Sequence, residues 1–106
     1  MATTADNRRE HRKLTDVDLT NVAEALRVLA HPLRLKIVDL LLHERHSVGA
    51  LADALGEPQA AVSQHLSQLR DRGVLDVERC GRTAFYFVVH PAADNVIRCI
   101  REHGPK

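Results

Sequence analysis

The chain has 106 residues, 44% of them apolar, with 15 Lys and Arg against 14 Asp and Glu and a net charge of +1. That length suits a single domain with a small core, and the apolar share excludes a disordered chain. No apolar run is long enough for a membrane span or a secretory signal, so a cytoplasmic protein with Cys80 and Cys99 reduced is expected, and near-neutral charge on its own argues against nucleic acid.

Residues 1 to 14 read as a flexible tail, basic because Arg8, Arg9, Arg12 and Lys13 outweigh Asp6 and Glu10. The remainder, 15–106, reads as one folded unit. A first helix is expected from Thr15 or Asp16, with Leu19, Val22, Ala23, Leu26 and Leu29 recurring at helical spacing. His31-Pro32 ends it, because a residue before proline avoids helical backbone angles, and Pro32 then suits the first turn of a second helix. That helix runs to about Leu42 and is expected to bury Leu33, Ile37, Leu40 and Leu41.

Ser47 is an apt N-cap for a short third helix carrying Val48, Leu51, Ala52 and Leu55, and Gly56 is its stop. Glu57-Pro58 opens a fourth helix, which ends before Gly73. The joint between these two helices is only about three residues long, the mark of a helix-turn-helix. Val74, Leu75, Val77 and Phe85 to Val89 are rich in β-branched and aromatic residues, and predict a hairpin around the polar stretch Glu78 to Thr83. Pro91 starts a last helix that reaches about His103. The predicted fold is mainly α with a small β-hairpin, in the order ααααββα of a winged helix-turn-helix.

On the fourth helix, Val62, Leu66 and Leu69 share the core face. Gln59, Ser63, Gln64, Ser67 and Arg70 lie on the other side. Solvated faces usually carry Lys and Glu; this one has no Lys, and small hydrogen-bonding groups instead. Gln pairs with adenine and Ser reaches base edges or phosphates, so double-stranded DNA is the expected partner. Arg79 and Arg82, around Gly81 at the hairpin tip, suit phosphate or minor-groove contact. The alternative is a winged-helix protein-interaction module, favoured by the near-neutral charge. No nucleophile–base pair, phosphate loop or paired-carboxylate motif points to an enzyme.

These residues resemble the ArsR/SmtB-type winged helix-turn-helix repressors. Leu29-Ala30-His31-Pro32-Leu33-Arg34-Leu35-Lys36-Ile37 resembles their entry to the second helix. Val62 to Arg70 is similar to their recognition helix, and Gly73-Val74-Leu75, Gly81-Arg82 and Tyr86 to their wing. His65 matches a histidine common in that recognition helix and flanks the apolar face, placed for packing or for a phosphate. Where the family often has Ser, this chain has Pro58, so a side-chain cap and a DNA contact are lost at that position. The resemblance implies a homodimeric repressor that binds an inverted repeat and leaves DNA on sensing a metal ion or a redox-active inducer. On the last helix, Ala92, Val96, Cys99 and His103 form a stripe flanked by Ala93 and Ile100; the first helix and the twin last helix of a second subunit would bury it.

The inducer stays open. The resemblance implies a cysteine pair at the start of the third helix in arsenic, cadmium and lead sensors, where this chain has Ser47 and Gly49. In zinc, cobalt and nickel sensors it implies a set on the last helix, onto which His90, Ala92, His103 and Lys106 fall, so half of the ligands survive. Cys99 and His103 are four residues apart on one face, and His90 of a second subunit would complete a three-ligand site for zinc, nickel, cobalt or copper. His43 and His46 form a weaker pair. A Cys99–Cys99 bond across the dimer is the thiol alternative.

Overall fold

A computed structural model describes residues 13–104. The tail residues Arg8, Arg9 and Arg12, and Lys106, lie outside this span. The elements are α1 (Asp16–Leu29), α2 (Pro32–His43), α3 (Val48–Leu55), α4 (Gln59–Asp71), β1 (Leu75–Cys80), β2 (Thr83–Val88) and α5 (Pro91–His103). This is the predicted winged helix-turn-helix order.

The element ends follow local chemistry. Thr15 caps α1 in a capping box: its hydroxyl accepts from the Asp18 N–H, and the Asp18 carboxylate accepts from the Thr15 N–H. His31 caps α2 through Nδ1, which accepts from the Leu33 N–H at 3.1 Å, with Pro32 as the first helical residue. Ser47 caps α3 by accepting from the Ala50 N–H. Gly56 closes α3 with φ +65°, a left-handed angle that turns the chain sharply into α4 and that a Cβ would strain. Pro58 supplies no side-chain cap to α4. Its preset φ of −60° enters the helix, consistent with the loss of a cap noted in the sequence. The end of α4 is sealed by paired bonds, from the Gly73 N–H to the Arg70 carbonyl and from the Val74 N–H to the Leu69 carbonyl.

One apolar core joins the elements. Ile37 and Val38 of α2, Leu51 of α3, Val62, Leu66 and Leu69 of α4, Val74, and Ala93 of α5 are fully buried. One sequence expectation needs correction here, that for α2, and the apolar stripes of α1 and α5 are placed. In α2, Val38 is fully buried while Leu33 and Leu40 are only half-buried, because the helix is apolar around much of its circumference. In α1, the core takes Ala25, Val28 and Leu29, and most of the spaced stripe faces away from the fold: Leu19, Val22 and Leu26 are 51%, 42% and 45% exposed. In α5, the chain's own α1 and α2 cover Ala93 and Ile97, leaving Cys99, Ile100 and His103 exposed.

The hairpin is longer and its turn tighter than its composition suggests. β1 and β2 pair antiparallel from Leu75–Val88 to Cys80–Thr83, so only Gly81 and Arg82 form the turn. Gly81 takes φ +65°, which permits the two-residue reversal. Arg79 therefore lies within β1, opposite Ala84, and only Arg82 is at the tip. A short third pairing adds His46 beside Tyr86: the Tyr86 N–H donates to the His46 carbonyl at 2.8 Å. It ties the wing to the segment between α2 and α3.

Candidate nucleic-acid interface

The joint Gly56–Pro58 sets α4 across α3, with Val62, Leu66 and Leu69 inward. The opposite side is open. Gln59, Ser63, Gln64, Ser67 and Arg70 are all exposed, as expected. Ser63, Gln64 and Ser67, with Pro58, Ala60 and Ala61, line one shallow continuous surface. Among the described residues, the side chains of Gln59, Ser63, Gln64 and Ser67 have no hydrogen-bond partner. Each remains available to a ligand, and the small residues between them allow close approach. Arg70 differs, because its guanidinium lies 3.9 Å from the Asp76 carboxylate at the base of the wing.

His65 turns toward the protein. Its Nδ1 accepts from Arg34 Nε at 3.0 Å, and its ring lies against that of His31 with centroids 4.7 Å apart. Partial burial, then His31 and the Arg34 guanidinium, push its pKa below the ordinary 6.5, against a smaller upward pull from Glu57. The imidazole is therefore neutral at pH 7. Of the two placements read from the sequence, this is the packing one.

The wing carries two guanidiniums that are free of ion pairs among the described residues, Arg79 and Arg82. A third arginine, missed in the sequence, positions the wing. Arg45 leaves the segment after α2, bonds the Glu78 carboxylate of β1, and lies 4.2 Å over the Phe87 ring of β2. No local signal in the sequence points to it, since Glu78 lies 33 positions from Arg45.

The residues considered for a metal do not fit one within this chain. His90 is the N-cap of α5, and its Nδ1 accepts from the Ala92 N–H at 3.0 Å, leaving one ring nitrogen. His103 ends the same helix, about 20 Å further along at roughly 1.5 Å per residue. Cys99 and His103 are exposed on the last turns of α5. His43 closes α2 near Asp39, whereas His46 sits beyond that helix in the bridge to Tyr86. Among the described residues, no three of His, Cys, Asp and Glu converge. Cys80 and Cys99 are both free and exposed, on the wing and on α5.

This geometry defines a winged helix-turn-helix of the kind that presents its second short helix to DNA. Comparison with known proteins agrees. A helix-turn-helix domain family matches residues 29–78. The transcriptional repressor PagR of Bacillus anthracis is 36% identical over 89 residues, 83% of this chain and 89% of that protein. The transcriptional repressor SmtB of Mycobacterium tuberculosis is 40% identical over 87 residues, 81% of this chain and 64% of that longer protein. The solved homodimeric winged helix-turn-helix DNA-binding domain of Mb0332 from Mycobacterium bovis superposes with a TM-score of 0.73 at 26% identity, covering 84% of this chain and 85% of that one. The chain belongs to the ArsR/SmtB family of winged helix-turn-helix repressors, a family of regulators and not of enzymes. No helix among the described residues is long and apolar enough to cross a membrane.

Proposed function

We propose that this chain is a homodimeric, DNA-binding transcriptional repressor that holds α4 in the major groove of an inverted-repeat operator. The observation that carries this reading is the outer face of α4, where Gln59, Ser63, Gln64 and Ser67 stand exposed and unpaired on a helix whose other face is core. A protein-interaction module would expose large apolar groups there, and this face has none larger than the Pro58 ring at its start. Arg79 and Arg82 then reach backbone phosphates or the minor groove. The exposed Leu19, Val22 and Leu26 of α1, and the exposed Ile100 of α5, support pairing with a second copy, as does the homodimeric Mycobacterium bovis relative. Two-fold symmetry sets the recognition helices about 34 Å apart, one DNA turn.

Release by an inducer is part of the proposal. Its α5 donors, Cys99 and His103, form a three-ligand zinc, nickel, cobalt or copper site only with His90 of a second copy. Metal titration with operator release as readout, on wild type and His103→Ala, tests the shared site: no effect of any metal overturns the metal reading and leaves thiol chemistry at Cys99 or a constitutive DNA binder.

The test of DNA reading is a comparison of affinity for a duplex selected by the protein from a random pool and for a scrambled duplex. Ser63→Ala with Gln64→Ala should cut the preference by about tenfold or more and leave scrambled-duplex affinity within about threefold. Full retention of the preference would sink the assignment of α4.

A further inference from the structure

One side chain holds α4 along its inner edge. Arg34 extends from α2 to three acceptors at once. Its Nε donates to His65 Nδ1 at 3.0 Å, one terminal nitrogen donates to the Val28 carbonyl of α1 at 3.1 Å, and the other donates to Gln68 Oε1. His65 and Gln68 are three residues apart, so both acceptors lie on one edge of α4, a turn apart. The DNA-facing Ser63 and Ser67 lie on the side away from them, and Gln64 lies between, one turn before Gln68. Behind the fork, His31 packs its ring on His65 and is itself fixed by the Leu33 N–H.

The apolar contacts of Val62, Leu66 and Leu69 bury α4 but set no direction, since burial depends on area. A guanidinium fork is directional, with its donors in one rigid plane. The difference matters at the outer face. A roll of about 15° about the helix axis moves a side-chain tip, roughly 6 Å from that axis, by about 1.5 Å. That displacement breaks a hydrogen bond to a base edge.

We propose that Arg34 is the positioning residue of the recognition helix: by spanning the Val28 carbonyl of α1 and the His65 and Gln68 acceptors of α4, it fixes the roll of α4 and so the sequence preference of the protein. This rests on the reading that α4 reads DNA. It makes His65 an acceptor that must stay neutral. Protonation would set N–H against N–H and add a charge beside Arg34 and His31, and among the described residues only the Glu57 carboxylate pulls the other way. The folded-state pKa of His65 lies below the unfolded value of 6.5, so its contribution is complete above 6.5 and is lost as pH falls through the lower folded value.

The experiment measures selectivity, the ratio of selected-duplex to scrambled-duplex affinity, at fixed salt from pH 7.5 to 5.5. Wild type should lose selectivity toward the acid end. Arg34→Lys keeps the charge but not the fork, and should lower selectivity at pH 7.5 by about tenfold, with scrambled-duplex affinity within about twofold of wild type. His65→Asn keeps an acceptor near the Nδ1 position that does not titrate, and should retain selectivity and flatten its pH profile. A nitrogen-15 spectrum of the His65 ring without DNA should show Nδ1 as the unprotonated nitrogen in wild type, and an altered Nδ1 shift in Arg34→Lys. If Arg34→Lys keeps full selectivity while Ser63→Ala with Gln64→Ala loses it, α4 reads DNA and the positioning role is overturned. If both keep it, the DNA reading has failed and the positioning role falls with it. Should Arg34→Lys not fold, a His65→Asn profile as steep as that of wild type overturns the proposal.

Discussion

The helix-turn-helix and the α1–α5 layer use the same residue types in opposite ways. α3 and α4 expose no large apolar side chain; Leu51, Val62, Leu66 and Leu69 are wholly buried. Leu14, Val17, Leu19, Val22 and Leu26, in or beside α1, are exposed, as is Ile100 of α5. Both regions show apolar residues at helical spacing. In the first, that spacing closes a core within the chain; in the second, it leaves an apolar surface that the chain's own fold does not cover. A stripe in a sequence is therefore a statement about burial against something, and only the fold tells whether that something is the same molecule.

The contrast can be broken by substitution. The largest effect belongs to the closed region: Leu66→Ala should destabilise the protein by about 2–5 kcal/mol in urea unfolding, through lost burial and the cavity left behind. Leu26→Glu, in the open region, should barely change the stability of the dilute monomer. It should weaken self-association by about tenfold or more in sedimentation, and remove the dependence of Tm on protein concentration. A large loss of monomer stability instead would mean that the stripe packs within its own chain. Ser47→Ala sharpens the same contrast from the helix-turn-helix side, at a cost of about 1 kcal/mol for the lost cap of α3. The smallest change is expected for Arg45→Ala. Its exposed ion pair with Glu78 is worth little, so stability should fall by less than about 1 kcal/mol. Amide exchange in β1 and β2 should nonetheless quicken as the wing loosens.

Much of the architecture was legible because its signals are local. Pro32, Ser47, Gly56 and Gly73 each fix a boundary through their own backbone angles or a neighbouring hydrogen bond. The outer face of α4 was legible for a related reason: helical geometry sorts Ser63, Gln64 and Ser67 from Val62, Leu66 and Leu69 without reference to anything else. The wing was less so. Glu78, Arg79 and Cys80 are polar and read as a loop, yet they form strand because the hairpin end projects into solvent on both faces. The cross-links were not legible at all. Arg34 meets His65 across 31 positions, Arg72 meets Glu24 across 48, and Arg101 meets Asp39 across 62.

By itself the sequence determined the element order, the caps and turns, and the composition of the face that would meet DNA. These depend on spacing and on residues within a few positions of one another. Tertiary structure alone decided which side of α1 and α5 is covered, that His65 turns inward to Arg34, and that His90 is spent on a helix cap far from His103. Those outcomes depend on where helices distant in sequence come to lie, and no local rule specifies that.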